Sequence, residues 1–286
     1  MGFILQSFLF FILFFILWYY SGLLPMLNNF LMFHPYKTSQ IEWNAICEKY
    51  IHNIIPIEFK TNDNLKLCGA LVNTTKTPNW SDTIFLYSHG NAGWIGGLVI
   101  SDRIKLLSNH GSIFMYDYRN YGCSDKLDKN NTYMEKGLYI DAHSAYDYLT
   151  KIQNINPDKI IVYGHSLGSA ISSKLVSNLV KDNIKVKGLI LEAPFTKISD
   201  IAGEKFPVLS YFCIYDFNNI ENIKNISTYV NTCIVHSKSD EIISYKYSNK
   251  LINHNNNCKY IIINGSHNYP IFNTDIDTWI SELCKK

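Results

Sequence analysis

Residues 159–170, KIIVYGHSLGSA, restrict the fold more than any other part of the chain. The first half is an unbroken apolar run, as expected of a strand covered on both faces, and the end opens a helix of small residues. Gly164-His165-Ser166-Leu167-Gly168 must therefore turn the backbone from strand to helix in a single step. So sharp a turn strains its central residue, and only small residues two positions either side avoid a clash. It raises the Ser166 hydroxyl above a sheet and sets the Leu167 amide at a helix N-terminus, where negative charge is stabilised. G-x-S-x-G fixes only three positions and recurs by chance, so the weight rests on its place between strand and helix.

The rest of the chain alternates in the same way. Strands are expected at 55–60, 65–72, 83–88, 112–116, 159–163, 187–191, 232–236 and 259–263, with helices near 95–109, 133–152, 166–181, 245–253 and 275–285. Continuous apolar strands separated by helices predict an α/β fold, a mostly parallel eight-stranded sheet with helices on both faces. The first two strands follow each other without a helix and should be antiparallel, with Pro56 fitting an edge. Residues 55–286 then form one domain. Residues 195–229 are too long for a plain connection and rich in aromatics (Phe206, Tyr211, Phe212, Tyr215, Phe217), which marks a short lid.

A serine hydroxyl needs a base, and the base needs an orienting acid, each expected after a later strand in the order Ser, acid, His. His267 follows the last strand and Asp240 the one before it. Glu192, at the end of the strand after the serine, and Glu241 are rival acids. An oxyanion requires two backbone amides. Leu167 supplies one, and the loop Ser88-His89-Gly90-Asn91-Ala92-Gly93 the other, through Asn91 or, failing that, Ala92. That loop is no phosphate cradle, because it has neither G-x-G-x-x-G nor a Walker lysine. His165 is expected to pack beneath the turn, His236 to support the acid loop, and Arg119 to tie its own loop together. No histidine pair has metal-ligand spacing, and no metal or cofactor is expected.

The first 27 residues contain no charged side chain. Residues 3–24 are almost wholly apolar, and about 1.5 Å per residue carries them across a hydrocarbon core of about 30 Å. Trp18, Tyr19 and Tyr20 resemble an interfacial belt, and Pro25 is expected to end the helix. A cleaved signal peptide would need a basic start and a small-residue cleavage site, both missing. The expectation is a retained single-pass membrane anchor over residues 1–27, a linker over 28–54, and contact with a lipid bilayer through 3–24. With 14% aromatic residues the chain can bury a large core, which excludes disorder. A net charge of +2, with only Arg103 and Arg119 as arginines, excludes nucleic acid as the main partner. The seven cysteines are irregularly spaced without C-x-x-C, so neither a zinc site nor a disulfide framework is expected; idle thiols fit a reducing compartment.

Together HGNAG (89–93), YDYRNYGCS (116–124), GHSLGSA (164–170), LEAPFTKI (191–198), HSKSDEII (236–243) and GSHN (265–268) resemble the membrane-anchored alpha/beta hydrolases. The likeness is nearest to the group of alpha/beta hydrolase domain-containing protein 13 and its fungal and plant relatives. It implies an alpha/beta-hydrolase fold, one N-terminal membrane helix and a serine hydrolase acting on a carboxylic ester or thioester. A lipid-like or acylated substrate with an apolar chain fits the anchor and the aromatic lid. Asn120 departs from the family's glycine, but Asn tolerates positive φ. A serine peptidase of the same fold and a non-catalytic membrane scaffold are the competing readings.

Overall fold

In the computed structural model the apolar runs become the central strands. Residues 23–49, 54–73, 80, 82–127, 134–205, 207, 209–255 and 257–285 are described. The elements are α1 (Leu23–Met32), α2 (Gln40–Lys49), β1 (Ile54–Lys60), β2 (Lys66–Val72), β3 (Ile84–Ser88), α3 (Ile95–Leu98), α4 (Asp102–Ser108), β4 (Ser112–Tyr116), α5 (Met134–Asp147), β5 (Ile160–His165), α6 (Leu167–Lys181), β6 (Gly188–Glu192), α7 (Ile198–Lys205), α8 (Asn219–Ile226), β7 (Thr232–Ser237), α9 (Lys246–Ile252), β8 (Cys258–Gly265), β9 (Pro270–Ile271) and α10 (Thr274–Lys285). The sheet order is β1-β2-β4-β3-β5-β6-β7-β8-β9. Strands β4 through β8 run parallel, whereas β1 and β2 join antiparallel at one edge. Pro56 lies on edge strand β1, where a missing N–H costs no ladder bond.

Alternation along each strand sends side chains to opposite faces and creates two cores. Ile84, Leu86, Ile160 and Val162 pack with Leu138, Ala170 and Leu175 of α5 and α6. Phe85, Tyr87, Ile161 and Tyr163 pack on the other face with Ile104 of α4, Ile280 of α10 and Trp43 of α2. Helices cover both faces, so the free edge is the row of strand ends. In a parallel sheet the loops after β3, β5, β6, β7 and β8 all emerge along one edge. Where the order reverses between β3 and β5, a crevice is expected at the carboxyl ends.

Several expectations are corrected. The sheet has nine strands, not eight, because Pro270 and Ile271 fold back onto Gly265 and Asn264. Two residues are too few to show any periodicity. The helix expected over 95–109 is two, α3 and α4, with Ser101 restarting the second by accepting from the Ile104 amide at 3.4 Å. Within residues 28–54 lie the second half of α1 and all of α2, which buries Trp43 and Cys47. Pro25 lies within α1, and the helix it was expected to end falls mostly outside the described residues. Cys68 and Cys123 are not idle thiols; they form a disulfide between β2 and the turn after β4. The pair is 55 residues apart in sequence, so spacing could not reveal it. Residues 3–22 of the expected anchor lie outside the described residues, and among the described residues no helix is long and apolar enough to cross a membrane.

Candidate active site

Ser166 stands between β5 and α6 with φ 55° and ψ −118°, a conformation that L-residues adopt only when their surroundings impose it. The surroundings are the two glycines. A Cβ on Gly164 would lie 2.2 Å from the Gly168 carbonyl oxygen, and one on Gly168 would lie 2.1 Å from the Ser88 carbonyl oxygen. Larger residues would push α6 away from β5 and from β3. The Ser166 amide donates to the Glu192 carbonyl at 2.9 Å, fastening the turn to the end of β6. Leu167 opens α6, so its amide lies in the helix's first turn.

The loops after β7 and β8 bring Asp240 and His267 together, with His267 Nδ1 and Asp240 Oδ2 2.7 Å apart. The other carboxylate oxygen accepts the amides of Ile242 and Ile243 at 2.9 and 2.7 Å. His236 lies 3.3 Å from Asp240 and is itself held by Ser248 and the Ile243 carbonyl, the supporting place expected of it. Burial alone would raise the Asp240 carboxyl. The hydrogen bonds from His236 and His267, the charge of His267 and the Ile243 amide outweigh it and hold the group well below the usual carboxylate range.

Both rival acids are engaged elsewhere than on the His267 ring. Glu241 accepts the His267 backbone amide at 3.1 Å. Glu192 is buried against Arg103, whose Nε and Nη2 donate to its two oxygens at 2.7 and 2.8 Å, and it accepts from the Tyr163 hydroxyl at 2.5 Å. Arg103 also donates to the carbonyls of His267 and Asn268 at 2.8 and 3.0 Å. One guanidinium thus pins both the end of β6 and the backbone carrying the imidazole. His165 packs beneath, its ring 4.9 Å from that of His267, and Arg103 Nη2 is 3.1 Å from its Nε2. Burial first, then the charges of Arg103 and His267, hold His165 well below its ordinary range, so it is neutral. Sequence reasoning passed over Arg103. Its available signal was a lone arginine on the buried face of a helix beside Ile104 and Leu107.

The loop after β3 is equally fixed. His89 Nδ1 lies 2.7 Å from the Gly90 carbonyl, and its ring packs 4.2 Å from that of Tyr118, whose hydroxyl donates to the His89 carbonyl at 2.7 Å. The Asn91 side chain donates to the Met32 carbonyl at 2.7 Å and accepts from the His34 amide and the Tyr121 hydroxyl at 3.2 and 2.8 Å. The loop is therefore joined to the chain leaving α1. Arg119 binds Asp141 and Asp63 with four bonds of 2.8 to 2.9 Å and ties its loop as expected; Asn120 takes φ 69°. Of the aromatics in the segment expected to form a lid, Tyr215 and Phe217 turn inward onto Phe33 while Tyr211 is exposed. Phe206 lies outside the described residues. Among the described residues no group of three His, Cys, Asp or Glu side chains could hold a metal ion.

Comparison with known proteins agrees with this fold. Residues 83–212 match the alpha/beta hydrolase fold family. The chain is 31% identical over 265 residues to the uncharacterized protein R595 of Acanthamoeba polyphaga mimivirus, covering 85% of this chain and 87% of that protein. It is 32% identical over 189 residues to the lysophosphatidylserine lipase ABHD12 of Bos taurus, over 60% of this chain but only 45% of the lipase. The chain thus spans less than half the length of that relative. The crystal structure of an alpha-beta hydrolase from Vibrio vulnificus superposes with a TM-score of 0.70 at 20% identity, covering 92% of this chain and 93% of that one.

Proposed function

We propose that this chain, which belongs to the alpha/beta hydrolase family, is a membrane-anchored serine hydrolase that cleaves a carboxylic ester or thioester with an apolar acyl chain. One observation carries the reading. The strained Ser166 turn and the Asp240–His267 pair at 2.7 Å emerge from the same edge of the sheet, each after its own strand. With Nδ1 committed to Asp240, the opposite nitrogen of His267 is the base. It takes the Ser166 proton as Oγ bonds to the carbonyl carbon, and the oxyanion rests on the amides of Leu167 and Asn91. The imidazolium then gives its proton to the departing alcohol or thiol. Water, deprotonated by the same nitrogen, releases the acid and restores the serine. Asp240 stays ionised throughout and orients the ring.

A lipid-like substrate draws support from the lysophosphatidylserine lipase among the relatives and from the aromatic segment beside the site. The membrane anchor over residues 3–24 rests on their almost wholly apolar sequence. The grouping with the domain-containing protein 13 relatives rests on the motifs alone. Labelling of the detergent-solubilised protein by a fluorophosphonate probe tests the mechanism. Wild type and Glu192→Ala are expected to label, while Ser166→Ala and Asp240→Ala lose labelling. A folded wild type that does not label would overturn the proposal.

A further inference from the structure

Helix α1 is built inside out. Its polar residues face the protein: the Asn28 side chain donates to the Phe212 carbonyl at 3.0 Å and accepts the Ile214 amide at 3.1 Å, and Asn29 accepts from the Tyr215 hydroxyl. Four of its apolar residues face outward, while Leu24 and Pro25 are buried. Met26 and Phe30 are 61% and 77% exposed, with Leu27 and Leu31 beside them. Positions 26, 27, 30 and 31 recur at three and four and so form one continuous stripe. Tyr211, which precedes the Phe212 held by Asn28, is 88% exposed. Single exposed apolar side chains are ordinary, but a helix that spends its asparagines on the protein and shows only hydrocarbon outward is not solvated by design.

The sequence indicates what covers this stripe. No Asp, Glu, Lys or Arg occurs before Lys37, and the stripe continues directly from the apolar run over residues 3–24. We infer that the outer face of α1, together with Tyr211, docks on the surface of a lipid bilayer, so that the segment after α7 faces lipid. The inference rests on the membrane-anchor reading and deepens it by assigning the face of the domain that meets the membrane. An amphipathic surface of this kind seats its apolar side chains at the headgroup–acyl boundary, with tyrosines at the headgroup level. The seat also reaches the chemistry. Met32 and His34, at the exit of α1, hold the Asn91 side chain, and Asn28 and Asn29 hold the segment 212–215. A bilayer beneath α1 therefore sets the height of both the oxyanion loop and the lid above the lipid.

Photocrosslinking in phosphatidylcholine vesicles tests this. The full chain is prepared with p-benzoylphenylalanine in place of Phe30, of Tyr211, or of the exposed Ile152, which precedes β5 at the far end of the strands. Vesicle flotation and mass spectrometry follow irradiation. Phe30 and Tyr211 are expected to give single-lipid adducts about tenfold more often than Ile152, as contact confined to one face requires. The Ser166→Ala background is expected to give the same adducts, so loss of hydrolysis does not affect the readout. A crosslinked dimer, a crosslink from either position to residues 1–22, or equal labelling at Ile152 would each overturn the docking. A chain that floats without lipid adducts overturns the docking alone, while one that fails to float overturns the anchor with it.

Discussion

The two flanks of Ser166 are held in different ways. On the flank of β6, β7 and β8, buried charges fix every group: Arg103 spans Glu192 and two backbone carbonyls, and Asp240 joins His267 to His236 and two amides. On the flank of α1 and the segment after α7, neutral asparagines hold backbone, and large apolar side chains stand in the open. The first arrangement suits chemistry, because preorganised charge costs no reorganisation during the reaction. The second suits recognition of a chain without polar features, where an adaptable surface matters more than fixed donors.

The sharpest way to break this contrast is to exchange the two carboxylates on the ordered flank. Asp240→Asn keeps the shape but removes the charge that sets the imidazole tautomer, and turnover of a p-nitrophenyl ester should fall by about 10⁴-fold. Glu192→Gln should lower turnover far less, since it acts on the backbone through Arg103. Equal losses would mean that the two acids share the task and that the flank is not divided as described.

Arg103 comes next. Lysine keeps a charge opposite Glu192 but, as a single ammonium, cannot reproduce the planar fork that reaches both carboxylate oxygens and both carbonyls. Arg103→Lys should lower kcat by about 10²-fold with little change in KM, the cost of a slightly misplaced imidazole. Arg103→Met leaves Glu192 buried without its partner and should cost about 3–5 kcal/mol of stability. An Arg103→Lys enzyme of reduced melting temperature but full kcat would reduce the arginine to a structural role.

How much of this could be read from the chain follows the same division. The Ser166 turn, Asp240 and His267 were legible because each stands at the end of an apolar strand, where order along the chain fixes position at the sheet edge. The support beneath them was not. Arg103 meets Glu192, His267 and Asn268 across 89, 164 and 165 residues, and no local pattern encodes such distances. The Cys68–Cys123 disulfide was missed for a similar reason, as was β9, whose two residues carry no periodicity. Helix α1 was divided between the expected anchor and the expected linker, because the partners of Asn28 and Asn29 (Phe212, Ile214 and Tyr215) lie 184 to 186 residues away in sequence.

A smaller effect probes the charge of Asp240 in folding. Its carboxyl is held low in the folded protein, so its stabilising contribution is complete above the unfolded value of about 3.9 and is lost as pH falls through the folded value. Melting temperatures of wild type and Asp240→Asn should differ at pH 7 and converge below about pH 4. A gap that stays constant into acid would show that shape rather than charge supplies the stabilisation.

The mildest perturbation belongs to the open flank. Tyr211→Ser removes one exposed ring and leaves the Phe212 carbonyl available to Asn28. Seating part of an aromatic ring in lipid is worth roughly 1 kcal/mol, so the ratio of vesicle-borne long-chain ester turnover to soluble short-chain turnover should fall by about threefold to fivefold. The ratio matters because it cancels any common loss in the chemical step. Wild type should itself prefer the long chain, and equal turnover of acetyl and long-chain esters would remove the basis for an apolar acyl substrate. If Tyr211→Ser lowers both substrates together, the residue acts on the ordered flank and the division between the two sides of Ser166 fails at this point.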